Sequence, residues 1–112
     1  MQRTIKFRAW DKTLNKIHSW STIENHFTLE ELLDDNFFEA MQYTGLKDKN
    51  GVEIYEGDIL SYFGFEYEVT FEESAFGWSE DGQFYAFAEM AIDEIEKTKI
   101  IGNIYENPEL AK

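Results

Sequence analysis

The sequence predicts a mainly β protein, a small closed barrel of about five strands preceded by a β-hairpin and a short helix. Three observations carry that prediction. Apolar and polar residues alternate at period two over several short runs. Glycine, Asn and Asp punctuate those runs at turn spacing. Of the 112 residues, 17% are aromatic, and burying such side chains contributes about 1.5–3 kcal/mol each, which favours folding over disorder despite the high charge.

The hairpin comes first. From Arg3 to Trp10 the chain alternates, with Ile5, Phe7 and Ala9 on one face and Thr4, Lys6, Arg8 and Trp10 on the other, the period of a half-buried strand. Asp11 to Asn15 reads as a turn, and Lys16 to Trp20 as the returning strand. On that reading Ile17 joins the apolar face, while Lys16, His18 and Trp20 fall beside Lys6, Arg8 and Trp10. A short helix follows, because Thr28 and Glu31 have the spacing of a capping box and Leu29, Leu32 and Leu33 recur at helical intervals. Asp34 and Asp35 oppose the helix dipole, so the helix should end by Asn36. Phe37 to Thr44 fits either a strand or a segment packed across the barrel's open side.

The stretch Gln42 to Ile59, QYTGLKDKNGVEIYEGDI, organises the centre. Gly45 and Gly51 tolerate positive φ, Asp48 and Asn50 favour turns through their own side chains, and Gly57-Asp58 leads into an apolar strand. Gly45, Gly51, Gly57 and Asp58 are therefore expected as structural turns. Beyond them, Asp58 to Phe63 and Phe65 to Glu72 form strands broken at Gly64. In the second, Phe65, Tyr67, Val69 and Phe71 face one way, with Glu66, Glu68, Thr70 and Glu72 on the solvated side. Ser74 to Trp78 and Gln83 to Ala88 flank a Glu80-Asp81-Gly82 turn. Ala91 to Thr98 holds a helical turn, Lys99 to Tyr105 is the last strand, and Asn107-Pro108 ends the fold. The division falls near Gly45: residues 1–44 form the hairpin and helix, and residues 45–112 form the barrel on which they pack, in one compact unit.

Charge and composition bound the chemistry. The net charge is −13. Residues 1–20 hold Arg3, Lys6, Arg8, Lys12 and Lys16 against Asp11, a net of +4, which leaves −17 for the remaining 92 residues. So acidic a body repels nucleic-acid phosphates and anionic membranes. Cysteine is absent, which excludes disulfides, a thiolate nucleophile and Cys-ligated metal and fits a cytosolic setting. No run approaches the ~18 apolar residues of a membrane span, and no signal-peptide core follows the basic start.

No constellation of catalytic residues emerges. Asp48-Lys49-Asn50-Gly51 resembles the middle of an EF-hand loop, but with Gly51 at the sixth position the first is Leu46 and the twelfth Gly57, where carboxylates are required. A plain turn is the better reading, and no metal or other cofactor is expected. His18 and His26 have no serine motif to serve. Asp34-Asp35 and Glu72-Glu73 are adjacent, so in regular structure they do not share a face. No phosphate-cradling loop is present. The protein is therefore expected not to be an enzyme.

TIKFRAWDK near the start, MQYTGLKDKNGVEIYEGDIL in the middle, AFGW at 75–78 and IIGNIYENPEL at the end, in that order and at these distances, resemble the YopX family of small bacteriophage and prophage proteins. The likeness covers nearly the whole chain, weakening between about Ser21 and Ala40 and between Phe84 and Lys97. It implies that the barrel is SH3-like and that the protein works in the cytoplasm of an infected or lysogenic bacterium. It assigns no catalytic or cofactor-binding role to any position.

Three binding roles are then open. Lys6, Arg8, Trp10, Lys16, His18 and Trp20 would together make a basic aromatic face able to hold single-stranded nucleic acid by charge and stacking, though the net charge disfavours it. Glu66, Glu68 and Glu72 would present carboxylates as phosphate mimics to a host protein. The favoured expectation is that the basic hairpin docks on the acidic body and that the protein is a protein-binding or self-associating module. Its partner would be a host or phage protein or a second copy, in a homo-oligomer, with no membrane contact.

Overall fold

A computed structural model describes residues 4–110; Arg3, which opens the first alternating run, lies outside them. The described residues form ten strands and three short α-helices. Strand β1 (Phe7–Asp11) turns into β2 (Lys16–His18), followed by α1 (Trp20–His26) and α2 (Leu29–Leu32). Next come β3 (Phe38–Lys47), β4 (Glu53–Tyr55), β5 (Asp58–Tyr62), β6 (Phe65–Glu68), β7 (Thr70–Glu72), β8 (Ala75–Glu80) and β9 (Gln83–Ala86). Helix α3 (Ile92–Ile95) and β10 (Lys99–Asn103) complete the order. The strands pair antiparallel in the orders β2-β1-β3-β4, β10-β5-β6 and β7-β8-β9, and curl into a half-barrel.

Local chemistry explains the hairpins. The connections β5–β6, β7–β8 and β8–β9 are two-residue turns at Phe63-Gly64, Glu73-Ser74 and Asp81-Gly82, and both residues of each have positive φ, between 48° and 83°. That geometry matches the right-handed twist of the strands it joins. Gly77 in β8 answers a different demand: a Cβ there would lie 2.1 Å from the Tyr85 carbonyl oxygen of β9, so only glycine lets the two backbones approach.

Two cores and a seam result. Ile54, Leu60, Val69, Trp78, Phe87 and Ile95 fill the half-barrel. Ala9, Ile23 and Leu32 fill the space between the first sheet and the two N-terminal helices. Met41, Tyr43 and Tyr55, with Trp10, Ile17 and Tyr105 against them, join the two. The capping box on α2 forms in full, Thr28 Oγ1 accepting from the Glu31 amide and Glu31 from the Thr28 amide. Of the apolar residues on that stretch, Leu32 is buried, whereas Leu29 and Leu33 are exposed.

The structure departs from the sequence expectations at three places. Trp20 does not end a strand but begins α1, a helix of weak intrinsic propensity held by burial of Ile23 against the sheet. Phe38–Lys47 is one ten-residue strand, so the junction expected at 44/45 lies inside it. There Gly45, at φ +89°, sits where pairing with β4 steps from Tyr43–Tyr55 to Lys47–Glu53, a bulge. Finally, the alternating run Phe65 to Glu72 is not one strand. It breaks at Val69, where the chain leaves the β5 sheet for the β8 sheet, so there are more strands than the five expected and Phe65 and Phe71 are exposed while Val69 is buried.

Candidate functional site

Register decides what the N-terminal hairpin can do. Opposed residues share a face, and β1 and β2 pair Ala9 with His18, Trp10 with Ile17 and Asp11 with Lys16. His18 and Lys16 therefore lie on the face of Ala9, and Ile17 on the face of Arg8 and Trp10, the reverse of the arrangement expected from the sequence. The pairing differs by one residue from the one that would bring the basic residues together, and a one-residue difference moves a whole strand's side chains to the other face. Lys6, Arg8, Trp10, Lys16, His18 and Trp20 thus do not form one surface.

Each of the six has its own surroundings. Lys6 reaches Glu53 at 2.6 Å and lies over the Tyr43 ring; the bond to Glu53 raises its pKa above the ordinary value. Arg8 donates from Nη2 to Asp58 at 2.6 Å and stacks its guanidinium 4.9 Å from the centre of the Tyr55 ring. Trp10 stacks on Tyr105 with ring centres 5.8 Å apart. His18 is buried, its Nε2 2.9 Å from Asp11 Oδ2 and its ring packed by Phe27 and Phe38. Trp20 tilts against Phe7. Lys16 is exposed.

The expected turn residues hold the seam. Asp58 is 1% exposed and links three elements: its carboxylate accepts from Arg8 and from the Tyr55 amide, and its carbonyl accepts from the Val69 amide. Burial pushes its carboxyl up, while Arg8 and the Tyr55 amide pull it back. Asp11 goes the other way, held below its usual value first by His18 and then by the Leu14 and Thr13 amides. Gly57 donates to the Val69 carbonyl and accepts from Ile104. Asp48, buried, accepts from the amides of Asn50, Val52 and Ile100, and Gly51 turns at φ +77°. All three Asp48 bonds are spent on backbone.

A different arrangement exists at the far side of the half-barrel. Because the chain changes sheets at Val69, β6 is an edge strand bonded only to β5 and not hydrogen-bonded to β8 beside it. A groove of about 510 Å³ opens between them, lined by Phe65, Glu66, Tyr67, Glu68, Glu80 and Asp81 among others. Tyr67 stacks on buried Trp78, centres 4.4 Å apart and planes within 14°, and its hydroxyl donates to Glu80 at 3.3 Å. Burial, then the charge of Glu72, pushes the Glu68 carboxyl up. Glu72 itself lies beyond the break, accepting from the hydroxyls of Thr70 and Ser79, so the row Glu66, Glu68, Glu72 is interrupted at Val69. Tyr67, Glu80 and Asp81 carry no single motif; their signal was a tyrosine within a glutamate-rich strand and two acids at the next hairpin turn.

Among the described residues no group of three or more His, Asp or Glu is placed to hold a metal ion, and no helix is long and apolar enough to cross a membrane. Against known proteins, a family model described as YopX protein matches residues 6–112. No curated protein matches. Among solved structures the chain is similar to the crystal structure of protein EF1440 from Enterococcus faecalis, at 26% identity and a TM-score of 0.64, over 99% of this chain and 100% of that one.

Proposed function

The chain belongs to the YopX protein family, and on that premise we propose that it is a non-enzymatic phage or prophage protein, built on an SH3-like half-barrel, that acts in the bacterial cytoplasm by binding another protein. The observation that carries this reading is the fate of the charges. Lys6 and Arg8 are spent on Glu53 and Asp58 of the same chain. The carboxylates around the β6–β8 groove, by contrast, have no described lysine or arginine among the residues lining it. What faces solvent is an acidic, partly aromatic surface on a chain of net charge −13, which suits a basic protein surface and repels phosphates.

The same pairing argues against single-stranded nucleic acid held by the hairpin. Arg8 stacks on Tyr55 and Trp10 on Tyr105, so one face of each is already taken within the chain. Self-association is a second reading with its own support: Leu14 and Phe37 are exposed and line one shallow cavity on the hairpin side, an apolar surface that a second copy would cover.

Light scattering after size exclusion, with the absorbance ratio monitored, tests these readings on protein isolated with and without bacterial lysate. The expected result is a complex with a lysate protein that weakens at high salt and carries no nucleic acid. A salt-independent assembly of the purified chain would favour the second reading. Co-purified nucleic acid, or a chain that gains no partner in either setting, would overturn both.

A further inference from the structure

We propose that the groove between β6 and β8 binds an extended lysine- or arginine-rich segment of the partner protein. The inference rests on the protein-binding reading above and adds where the partner sits and what chemistry it carries. The unpaired edge of β6 supplies the first argument. A strand bonded on one side only presents backbone groups that an extended chain can pair with. The size of the groove adds a second, since about 510 Å³ is room for a few side chains.

Charge selects the occupant. Glu66, Glu68, Glu80 and Asp81 line the groove, and carboxylates on an exposed edge keep like-charged strands apart. A second copy would bring its own acidic edge against this one and is disfavoured; a basic segment is drawn in. The floor is prearranged for long cationic side chains. Trp78 holds the Tyr67 ring in place, and the Tyr67 hydroxyl holds Glu80. Phe65, 65% exposed at the rim, offers an apolar surface on which the methylene stem of a lysine or arginine can lie while its head reaches a carboxylate. The partly buried Glu68, whose carboxyl burial and Glu72 push up, would gain from a cation placed beside it.

The probe is a short synthetic peptide alternating lysine and threonine, titrated into the isotope-labelled full chain at about 0.15 M salt, where the Debye length is about 8 Å and diffuse attraction is screened. Affinity is read by fluorescence anisotropy and location by amide chemical shifts. Two double variants with the same change in net charge are compared: Glu66→Gln with Glu80→Gln, and Glu24→Gln with Glu30→Gln on the helices. The expected result is shifts confined to β6, β8 and their turns, and about a tenfold loss of affinity in the first variant against less than about twofold in the second. Equal losses, or shifts spread over the acidic surface, would overturn the proposal. If a lysate partner binds the wild type and the Glu66→Gln, Glu80→Gln variant alike, the groove assignment falls and the protein-binding reading stands. If peptide binding localises but no lysate protein is captured, the groove stands and that reading falls.

Discussion

The hairpin seam and the β6–β8 groove begin as the same kind of sequence and end with opposite charge chemistry. Both come from short alternating strands whose polar positions are charged: Lys6 and Arg8 at β1, Glu66 and Glu68 in β6. Strand β1 has neighbours on both sides, β2 and β3, and its Arg8 face is covered by Tyr55 and Asp58. Strand β6 has one neighbour. A charge on a strand flanked on both sides meets its counter-ion inside the fold, whereas a charge on an edge is left for solvent or a partner. The seam should therefore carry stability and the groove should carry binding.

Removing Arg8 is the severest way to break that comparison. Arg8→Ala leaves Asp58 buried with only the Tyr55 amide, a class of change that costs about 3–5 kcal/mol, read as a shift of the urea midpoint. Adding Asp58→Asn should recover part of the loss, because the orphaned charge goes with it. A shift no larger than that of a surface substitution would mean the pair is not the seam's anchor.

This seam was partly legible. Phe7 to Trp10 of the alternating run expected from Arg3, the Asp11 to Asn15 turn and the capping box Thr28–Glu31 all express local rules and are present in the structure, whereas Ile5, expected on the apolar face, is exposed. The face of His18 was not legible, because a sequence does not state the register its turn imposes. Nor was α1, whose Trp-Ser-Thr-Ile start has little helix preference and depends on Ile23 finding the core. The groove was hidden for a related reason. Val69 satisfies the alternation on either side of it, so nothing local marks the residue at which the chain changes sheets; its buried backbone bonds to Gly57 and Asp58 are tertiary. Of the acids that line the groove, Glu66 and Glu68 were read as part of a row along one strand and Glu80 and Asp81 as part of a turn, whereas β6 and the end of β8 bring them together.

A second test sharpens the comparison within the seam by acid titration. Asp11, whose folded pKa is lowered, contributes stability that is present above its ordinary value of 3.8 and lost as pH falls through the lowered value. Asp58, whose folded pKa is raised, has the opposite sign: its contribution is present below 3.8 and lost as pH rises through the raised value. Asp11→Asn should therefore flatten the acid limb of the stability curve, and Asp58→Asn should steepen the rise above 3.8. Parallel curves for the two variants would show that the hydrogen bonds from His18, Thr13 and Leu14 do not set Asp11 apart from Asp58.

The smallest effect is the one on which the division between stability and binding depends. Glu66 and Glu80 are exposed, and no described basic residue pairs with either; Glu80 accepts one exposed bond of 3.3 Å from Tyr67. Neutralising them with Glu66→Gln and Glu80→Gln should change stability by no more than about 0.5 kcal/mol each. It should also remove charges that keep the β6 edge from pairing with another copy, so light scattering at raised concentration should show more association than wild type while the urea midpoint stays put. A large loss of stability would place these carboxylates in the same class as Asp58, held by the fold for its own cohesion. An unchanged midpoint with increased association would instead mark the β6 edge as a surface whose charge is kept for controlling what docks there, because nothing inside the chain is stabilised by it.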